Sequence, residues 1–468
     1  MFMKFFAAND KSGFNEYLVA ISACIFSFSC GVHQAWTSPY IPKLLQSNEY
    51  PFEITNEAAS YIAIFGPVGD IVGSLLSMLL VDRLGRKNTL VVLGISILIS
   101  SILLYFSYLS SVFIYVARFF GGVSSGTLMS IMPVYTSEIS RPSIRGKVGT
   151  ISVFSYTFGA IAVNLLGNYL TIYESALIFG IVNITFLLTF VQMPESPYYL
   201  LMKGNIVETE ESLSFLRRTK DVKEELTILM EDVKRQLSER GHFKDLFIID
   251  SNRKALFLII LGRIFQQFTG GTAFMMYAQN LLEDSRYIIE PHIAVIILTF
   301  IQAWLGLIAG RVSDRFGRIP PMFYSCIVCS LILGLLGIYY VLRDFSDVSV
   351  PGSSVFVLVG FHYAAFQTGV GSLIALVMGE IFSTSIKSKA ICIANLFLSM
   401  TVILTAKFYQ ISSDYLHISV CFFSFAIITL IGAFFMKFLP ETNGKTLEEI
   451  QMVLKGEVQK GNKITTKC

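Results

Sequence analysis

The stretch VDRLGRKN at residues 81–88 has a counterpart in SDRFGRIP at residues 313–320. Each copy directly follows an apolar run of about 20 residues, the length that crosses the roughly 30 Å hydrocarbon core of a bilayer. The glycine of each copy, Gly85 or Gly317, allows a tight turn between two such runs. The repeated stretch therefore predicts two related halves, each built from membrane-spanning helices.

The composition agrees with a membrane protein. Of the 468 residues, 53% are hydrophobic and 15% are charged, whereas soluble chains average about 25% charged residues. The net charge of +3 gives no indication of nucleic-acid binding. Apolar runs predict about twelve membrane spans, near residues 17–38, 58–81, 88–109, 111–137, 147–170, 174–193, 254–282, 291–312, 320–342, 353–379, 389–411 and 417–438.

The basic residues predict the orientation in the membrane. Lys and Arg concentrate in alternate connections, and the positive-inside rule makes these connections cytoplasmic. An even number of spans then places both termini in the cytoplasm.

One soluble segment separates the halves, and its sequence KDVKEELTILMEDVKRQL (220–237) has helical spacing. Leu226, Leu229, Met230 and Val233 share one stripe. We interpret the segment as short cytoplasmic helices, with a flexible linker as the alternative. The predicted organisation is a first six-helix half (1–193), a cytoplasmic helical linker (194–253), a second six-helix half (254–439) and a cytoplasmic tail (440–468).

Further motifs recur in the same order in both halves, which predicts an all-α membrane protein with a six-plus-six parallel repeat. Glu138 precedes Arg145 as Glu380 precedes Lys387, and PESP (194–197) matches PETNG (440–444).

A single exposed ion pair contributes only about 0–1 kcal/mol, but a network of these charged residues across the seam between the halves would bias a two-state equilibrium by a few kcal/mol. The alternative is that the arginines are only positive-inside anchors. The predicted cytoplasmic gate consists of Asp82, Arg83, Arg86, Glu138, Arg145, Glu195, Asp314, Arg315, Arg318, Glu380, Lys387 and Glu441.

Together these motifs resemble the sugar porter family of the major facilitator superfamily over almost the whole chain. The resemblance also rests on PVYTSEISRPSIRG (133–146), PESPYYL (194–200), QQFTGGTAFMMYA (266–278), GEIFSTSIKSKA (379–390) and PETNGKTLEEI (440–450). The stretch AWTSPYIPKL (35–44) is most similar to the insect facilitated trehalose transporter branch. The resemblance implies the major facilitator fold and alternating access about a central site. It also implies that Arg118 belongs near the cytoplasmic gate.

The resemblance further implies a sugar site in the second half. Gln266 and Gln267 match the family's paired sugar-binding glutamines, and Gln302 falls at another family sugar contact. Gln367 replaces a family acidic residue and can still donate and accept, and Gly271-Thr272 stands where the family usually has an asparagine. Such side chains suit a sugar, because each buried hydroxyl left unpaired costs about 1–3 kcal/mol. For each glutamine, a helix–helix hydrogen bond is the alternative.

Several positions depart from the family pattern. The tenth span, GVGSLIALVMGE (369–380), lacks the proline-flanked aromatic, so we expect a smoother helix there. Lys387 replaces an arginine and loses bidentate pairing with a carboxylate.

His33, Asp70 and Arg263 are ionisable residues inside spans, where such groups are by default functional. His33 or Asp70 could take the place of the first-span Asp that proton-coupled relatives carry, and the favoured alternative is that they satisfy each other or the nearby backbone.

We therefore predict facilitative transport of a glucose- or trehalose-like sugar, or of a polyol, across the plasma membrane. A proton-coupled sugar symporter and a non-transporting sugar sensor are the two alternatives. No nucleophile–base pair or metal-ligand cluster stands out in the sequence, so we expect no enzyme, cofactor or metal. The expected partners are the small-molecule substrate and the lipid bilayer, without nucleic acid, and the chain is expected to function as a monomer.

Overall fold

The computed structural model describes residues 13–46, 52–238, 244–286, 289–346, 350–382, 386–445 and 447–455, and the regular structure in these ranges is helical. We number the membrane spans in chain order. The first six are Phe14–Ala35 with Thr37–Gln46, Asn56–Leu84, Arg86–Tyr105 with the 3-10 turn Phe106–Tyr108, Ser111–Ile139, Pro142–Tyr169 and Ile172–Phe190. The last six are Asp250–Phe268 with Gly271–Met276 and Ala278–Leu281, Pro291–Phe316, Ile319–Phe345, Ser353–Thr368 with Val370–Ile381, Lys387–Tyr415 and Ile418–Met436.

The number of helices that meet the length and apolarity of a membrane span differs from the predicted twelve at one place. Within the described ranges, eleven helices are long and apolar enough to cross a membrane, and the seventh span is not one of them. Its helix Asp250–Phe268 begins with charged residues and ends two residues before Gly270, whose φ of 83° lies in the left-handed region. Glycine adopts this conformation without steric cost, so the chain starts a new short helix there.

Within the first half, glycines let the second and fourth spans touch backbone to backbone. A Cβ added to Gly69 would lie 2.1 Å from the carbonyl oxygen of Phe119, and one added to Gly122 would lie 2.0 Å from that of Gly66. Small residues of this kind are what membrane helices use to approach closely. The two spans therefore form a tightly joined unit.

The two halves meet along two seams and at one end. The second span contacts the eleventh, and the fifth contacts the eighth. We call the end that carries 81–88 and 313–320 the basic end. At the opposite end, buried apolar residues of both halves form one cluster, in which the rings of Tyr277 and Tyr409 stack at 4.9 Å. Toward the basic end, two further clusters each draw on one half and its adjoining segments. The structure is thus a state closed at the end opposite the basic loops.

The segment between the halves forms helices Pro197–Met202, Ile206–Arg217, Lys223–Ser238 and Asp245–Ile248, and Leu447–Lys455 lies in the tail. Of the predicted apolar stripe, Leu226, Leu229 and Val233 are buried in one small cluster, whereas Met230 is 42% exposed. Met230 therefore lies off the buried face.

An ion-pair network joins this linker to the first span. Glu16, fully buried, lies 2.7 Å from Arg217 and 3.0 Å from Arg141, and Arg217 also pairs with Glu225 at 2.6 Å. Burial works to lower the pKa of Arg217, but its hydrogen bond with Glu225 and the charge of Glu16 raise it above the usual value. The linker thus docks on the first half.

The tenth span corrects the expectation of a smoother helix. It divides into Ser353–Thr368 and Val370–Ile381 at Gly369, which has φ −130° and ψ −110°. A Cβ on Gly369 would lie 2.1 Å from the Cβ of Ser325 in the ninth span, and the Ser325 hydroxyl accepts the N–H of Val370 at 3.2 Å. A tertiary contact with a glycine therefore breaks this helix without any proline.

Candidate functional site

Arg86 is the centre of a charged cluster at the basic end of the first half. Its Nε lies 3.0 Å from Glu138, and its backbone N–H donates to Glu195 at 3.0 Å. The hydroxyl of Ser196 donates to Glu138 as well. Because Glu195 also accepts the N–H of Lys87 at 3.0 Å, it caps the start of the third span, where a negative charge is favourable.

Arg318 is the centre of the equivalent cluster in the second half. Its Nη2 lies 2.9 Å from Glu380, and its backbone N–H donates to Glu441 at 2.9 Å. Thr442 donates its hydroxyl hydrogen to Glu380, and Asp314 adds a carboxylate 3.0 Å from Arg318. The hydrogen bond with Glu380 is the main reason that the pKa of Arg318 is raised.

The backbone around Glu441 holds this carboxylate in its charged form. Burial by itself acts to raise its pKa, but hydrogen bonds from the N–H groups of Arg318, Asn443 and Ile319 outweigh burial and lower the pKa below its usual value. Acceptance of several backbone N–H groups is a general cause of such lowering. Glu441 is thus an anionic cap on the ninth span.

The structure brings the predicted gate residues together as two separate sets. The pairs Arg86–Glu138 and Arg318–Glu380 each lie within one half, so they do not form the expected network across the seam. Lys387 lies close to Glu380 in the same half, because its Nζ would be 3.8 Å from a Cβ added to the neighbouring Gly379. Four other members of the predicted gate have exposed side chains at the basic end: Asp82, Arg83, Arg145 and Arg315.

The position of Arg118 corrects its assignment to the cytoplasmic gate. It is the eighth residue of Ser111–Ile139, about 30 Å along the helix axis from the basic end. Its guanidinium is fully enclosed, donates to the carbonyl oxygens of His33 and Ile62, and lies 5.8 Å from the ring of Trp36. Counting from the start of the fourth span would have placed it correctly from the sequence.

His33 and Asp70 are both buried inside the first half, and each interacts with Arg118. The Nδ1 of His33 lies 3.1 Å from Arg118, and because a guanidinium can only donate, this nitrogen accepts. Asp70 lies midway along Asn56–Leu84, and its buried Oδ1 has no hydrogen-bond partner in the described part of the chain.

Gln266 and Gln267 lie at the end of the seventh span's first helix, directly before the break at Gly270. Both are buried. The amide of Gln266 donates to the carbonyl oxygen of Gly371 in the tenth span at 2.8 Å, and Gln267 accepts the hydroxyl of Thr272 at 2.7 Å. The two broken spans therefore meet at the glutamine pair.

Gln302 and Gln367 lie on the eighth and tenth spans and face one another. The amide nitrogen of Gln302 lies 3.4 Å from Oε1 of Gln367, whose own amide donates to Ser372 at 3.0 Å. Gly306 makes room for this side chain, because a Cβ there would lie 2.9 Å from the amide nitrogen of Gln367. The predicted sugar-contact residues thus form two groups in the second half, both beside the Gly369 break.

Two polar residues near this centre were not assigned a role from the sequence. His362 in the tenth span donates from Nε2 to the carbonyl oxygen of Thr269 at 2.8 Å, at the break of the seventh span. Arg263 donates to Oε1 of Gln266 at 2.9 Å. An ionisable residue in an apolar run was the only signal available for either one.

Two halves of six spans, with buried glutamines beside the broken helices of the second half, define a transporter of the major facilitator class. The family model described as "Sugar (and other) transporter" matches residues 17–454, and the chain belongs to this family. Family membership confirms the resemblance seen in the motifs and places the chain among transporters rather than enzymes.

Curated relatives and solved structures agree with this assignment. The chain is 28% identical to the facilitated trehalose transporter Tret1 of Culex quinquefasciatus over 457 residues, covering 96% of this chain and 88% of the relative. It is also 28% identical to Tret1 of Drosophila pseudoobscura pseudoobscura over 451 residues, covering 95% of this chain but 52% of that relative. The chain thus spans about half the length of the Drosophila relative.

The structural comparison confirms the major facilitator fold. A partially occluded inward-open structure of the xylose transporter XylE from E. coli matches with a TM-score of 0.77 and 21% identity, covering 92% of this chain and 99% of that one. An inward-open structure of XylE gives the same TM-score over 94% of this chain and 99% of that one.

Proposed function

We propose that the chain carries a sugar or a related polyol across the plasma membrane by alternating access. The observation that carries this proposal is the buried glutamine pair Gln266–Gln267, which lies where two broken helices of the second half meet, in a structure whose halves are sealed at one end. Amide side chains supply both donors and acceptors for hydroxyl groups. The relatives' names point to trehalose, so a glucose- or trehalose-like substrate is the first to test.

Five residues form the proposed substrate site. Gln267 has its carbonyl oxygen bound to Thr272, while its amide nitrogen has no partner among the described residues and is available to a substrate hydroxyl. The other three members are Gln266, Gln302 and Gln367.

The Arg86 and Arg318 clusters supply the proposed cytoplasmic gate. We place the basic end and both termini in the cytoplasm, as the positive-inside rule indicates, so that the structure corresponds to an inward-facing state of a functional monomer. Each cluster holds the helix ends of its own half in one arrangement. When the halves close at this end, the exposed Arg83, Arg145 and Arg315 are then available for contacts across the seam.

Uptake of radiolabelled glucose and trehalose into cells that express the chain tests the proposal. We expect saturable uptake that Gln267→Ala lowers at least tenfold, since a buried substrate hydroxyl loses its partner. Gln192→Ala, at an exposed glutamine at the end of the sixth span, is the matched control and should leave uptake unchanged. Equal uptake by wild type and Gln267→Ala would contradict the proposed site.

A proton-coupled mode is the second candidate, because Asp70 is a carboxylate at mid-membrane depth with a buried oxygen that lacks a described partner. Coupling predicts that acidic external pH stimulates uptake and that Asp70→Asn abolishes the stimulation. His33 is the weaker candidate for a proton carrier because its Nδ1 accepts from Arg118.

Binding of a sugar without its uptake would instead support a non-transporting sugar sensor.

A further inference from the structure

Arg263 is a nearly enclosed cation at the level of the proposed substrate site. It lies on the helix Asp250–Phe268, one turn before Gln266 and Gln267, and only 7% of its surface is exposed. Residues three and four apart share one face of a helix. Arg263 therefore lies on the same face as the glutamine pair.

The contacts of Arg263 leave one edge of its guanidinium without an oxygen partner. Nη1 donates to Oε1 of Gln266 at 2.9 Å. Nη2 meets the sulfur of Met378 at 3.9 Å, and thioether sulfur is a weak acceptor. Nε is buried and has no hydrogen-bond partner among the described residues. Nε and Nη2 are the two parallel donors that bind a carboxylate in bidentate fashion.

The charge of Arg263 is also uncompensated within the described ranges. The buried Arg86, Arg217 and Arg318 each pair with a carboxylate, and Arg118 donates to two backbone carbonyls. No ion pair of the described residues includes Arg263. A buried charge is costly without a partner, and charged residues inside membrane spans mark substrate or ion pathways.

We propose that the Nε–Nη2 edge of Arg263 binds the carboxylate of an acidic sugar, so that this transporter prefers a monoanionic carbohydrate over a neutral one. The inference rests on the proposed sugar transport and specifies its substrate class. One guanidinium neutralises one carboxylate, whereas a phosphate carries about −1.5 to −2 charges at neutral pH and would leave part of its charge uncompensated. Gln266 and Gln267, on the same face, would meet the hydroxyl groups of the same substrate.

The test compares uptake of labelled glucuronate and glucose by the full chain and by three variants at matched surface expression. Wild type should take up glucuronate, and excess glucuronate should inhibit glucose uptake. Arg263→Gln should lower glucuronate uptake about tenfold or more, as expected for a hydrogen bond to a charged group, while glucose uptake changes by less than about twofold. Arg263→Lys should retain part of the preference, because lysine keeps the charge but lacks the planar pair of donors.

Arg286→Gln is the matched control, since Arg286 is an exposed arginine of the same half that pairs with Glu283 outside the spans. It should leave both uptake rates unchanged. Glucose uptake without glucuronate uptake or inhibition would overturn this inference and leave the proposed sugar transport standing. An equal loss of both substrates in Arg263→Gln would overturn it too, as it would indicate a general structural role. Absence of binding and uptake of glucose, trehalose and glucuronate in wild type would overturn both proposals.

Discussion

Arg318 makes in the second half the contacts that Arg86 makes in the first. Each guanidinium pairs with a glutamate of the fourth span in its half, at 2.9 Å for Arg318 and 3.0 Å for Arg86. Each backbone N–H donates to a second glutamate, Glu441 or Glu195, that follows the sixth span of that half. The internal repeat thus extends from the sequence to individual hydrogen bonds, and each half can be perturbed by an equivalent substitution.

Glu138→Gln should destabilise the first half more than Glu380→Gln destabilises the second. The Glu138 side chain is 14% exposed and that of Glu380 is 29% exposed. Arg86 therefore loses its partner in a more buried site than Arg318 does. Breaking a buried pair costs about 3 kcal/mol, and we expect roughly half of that for Glu380. Thermal unfolding of the two purified variants in detergent measures how much stability each one loses. A larger loss of stability for Glu380→Gln than for Glu138→Gln would contradict this ranking.

The tail contact of Glu441 should make stability depend on pH in the acidic range. Its pKa is lowered in the folded state relative to the usual 4.5, so the folded state binds its proton less readily than the unfolded state. The resulting stability is present above pH 4.5 and is lost as the pH falls through the lowered pKa. Glu441→Gln should flatten this part of the curve of melting temperature against pH, and an unchanged slope would contradict the assignment.

Gly369→Ala should destabilise the protein by about 1–3 kcal/mol, the usual cost of overpacking. The added methyl would lie 2.1 Å from the Cβ of Ser325 and 2.7 Å from the carbonyl oxygen of Pro321. Ser325→Gly should therefore rescue part of the loss in the double variant but not all of it. Melting temperatures of the four proteins of this double-mutant cycle provide the measurement, and purely additive effects would contradict a direct clash.

Tyr277→Ala should favour opening of the end opposite the basic loops. Tyr277 is 7% exposed and stacks on Tyr409 of the same half within the cluster that both halves share, directly before the helix Ala278–Leu281, which contacts Thr37–Gln46 of the first half. Removal of such an aromatic costs about 3–5 kcal/mol, and contacts across the seal are lost when this end opens. Hydrogen–deuterium exchange should rise in residues 37–46 and 271–281. Tyr135→Ala is the matched control, because Tyr135 belongs to the first half's own cluster and should not raise exchange there.

Glu16→Gln should loosen the linker from the first half. Glu16 is fully buried between Arg141 and Arg217, so its neutralisation removes the buried carboxylate that both arginines share, at a cost of about 3 kcal/mol. Glu225→Gln removes the other partner of Arg217, but Glu225 is 42% exposed, so the effect should stay below about 1 kcal/mol. Limited proteolysis of residues 197–238 compares the two variants, and equal cleavage rates would contradict the assigned difference in burial.

The spans and the paired charged residues follow from the sequence because both are local signals. Apolar length predicts the helices, and motif order predicts that Glu138 and Glu380 hold equivalent positions. Arg118 was wrongly grouped with the gate because the family motif was given more weight than its distance from the helix start. Simple counting along Ser111–Ile139 contains the correct answer.

The helix break at Gly369 and the open edge of Arg263 require the tertiary structure. The break depends on Ser325 of the ninth span, more than forty residues earlier in the chain, and a single sequence shows no such contact. The loss of prolines was a true observation, but proline is only one cause of a broken helix. For Arg263, the sequence indicates a charge in a span, whereas the missing carboxylate becomes apparent only from its neighbours.

The backbone contact between the second and fourth spans restricts how the protein can deform. No side chain separates Gly69 from Phe119 or Gly122 from Gly66, so these helices cannot yield to one another by repacking. Any change between states must therefore displace the first half as a nearly incompressible body. When this body tilts against the second half, the cross-section of the whole protein widens in one leaflet and narrows in the other. Turnover should consequently include mechanical work against the bilayer and should respond to lateral membrane tension.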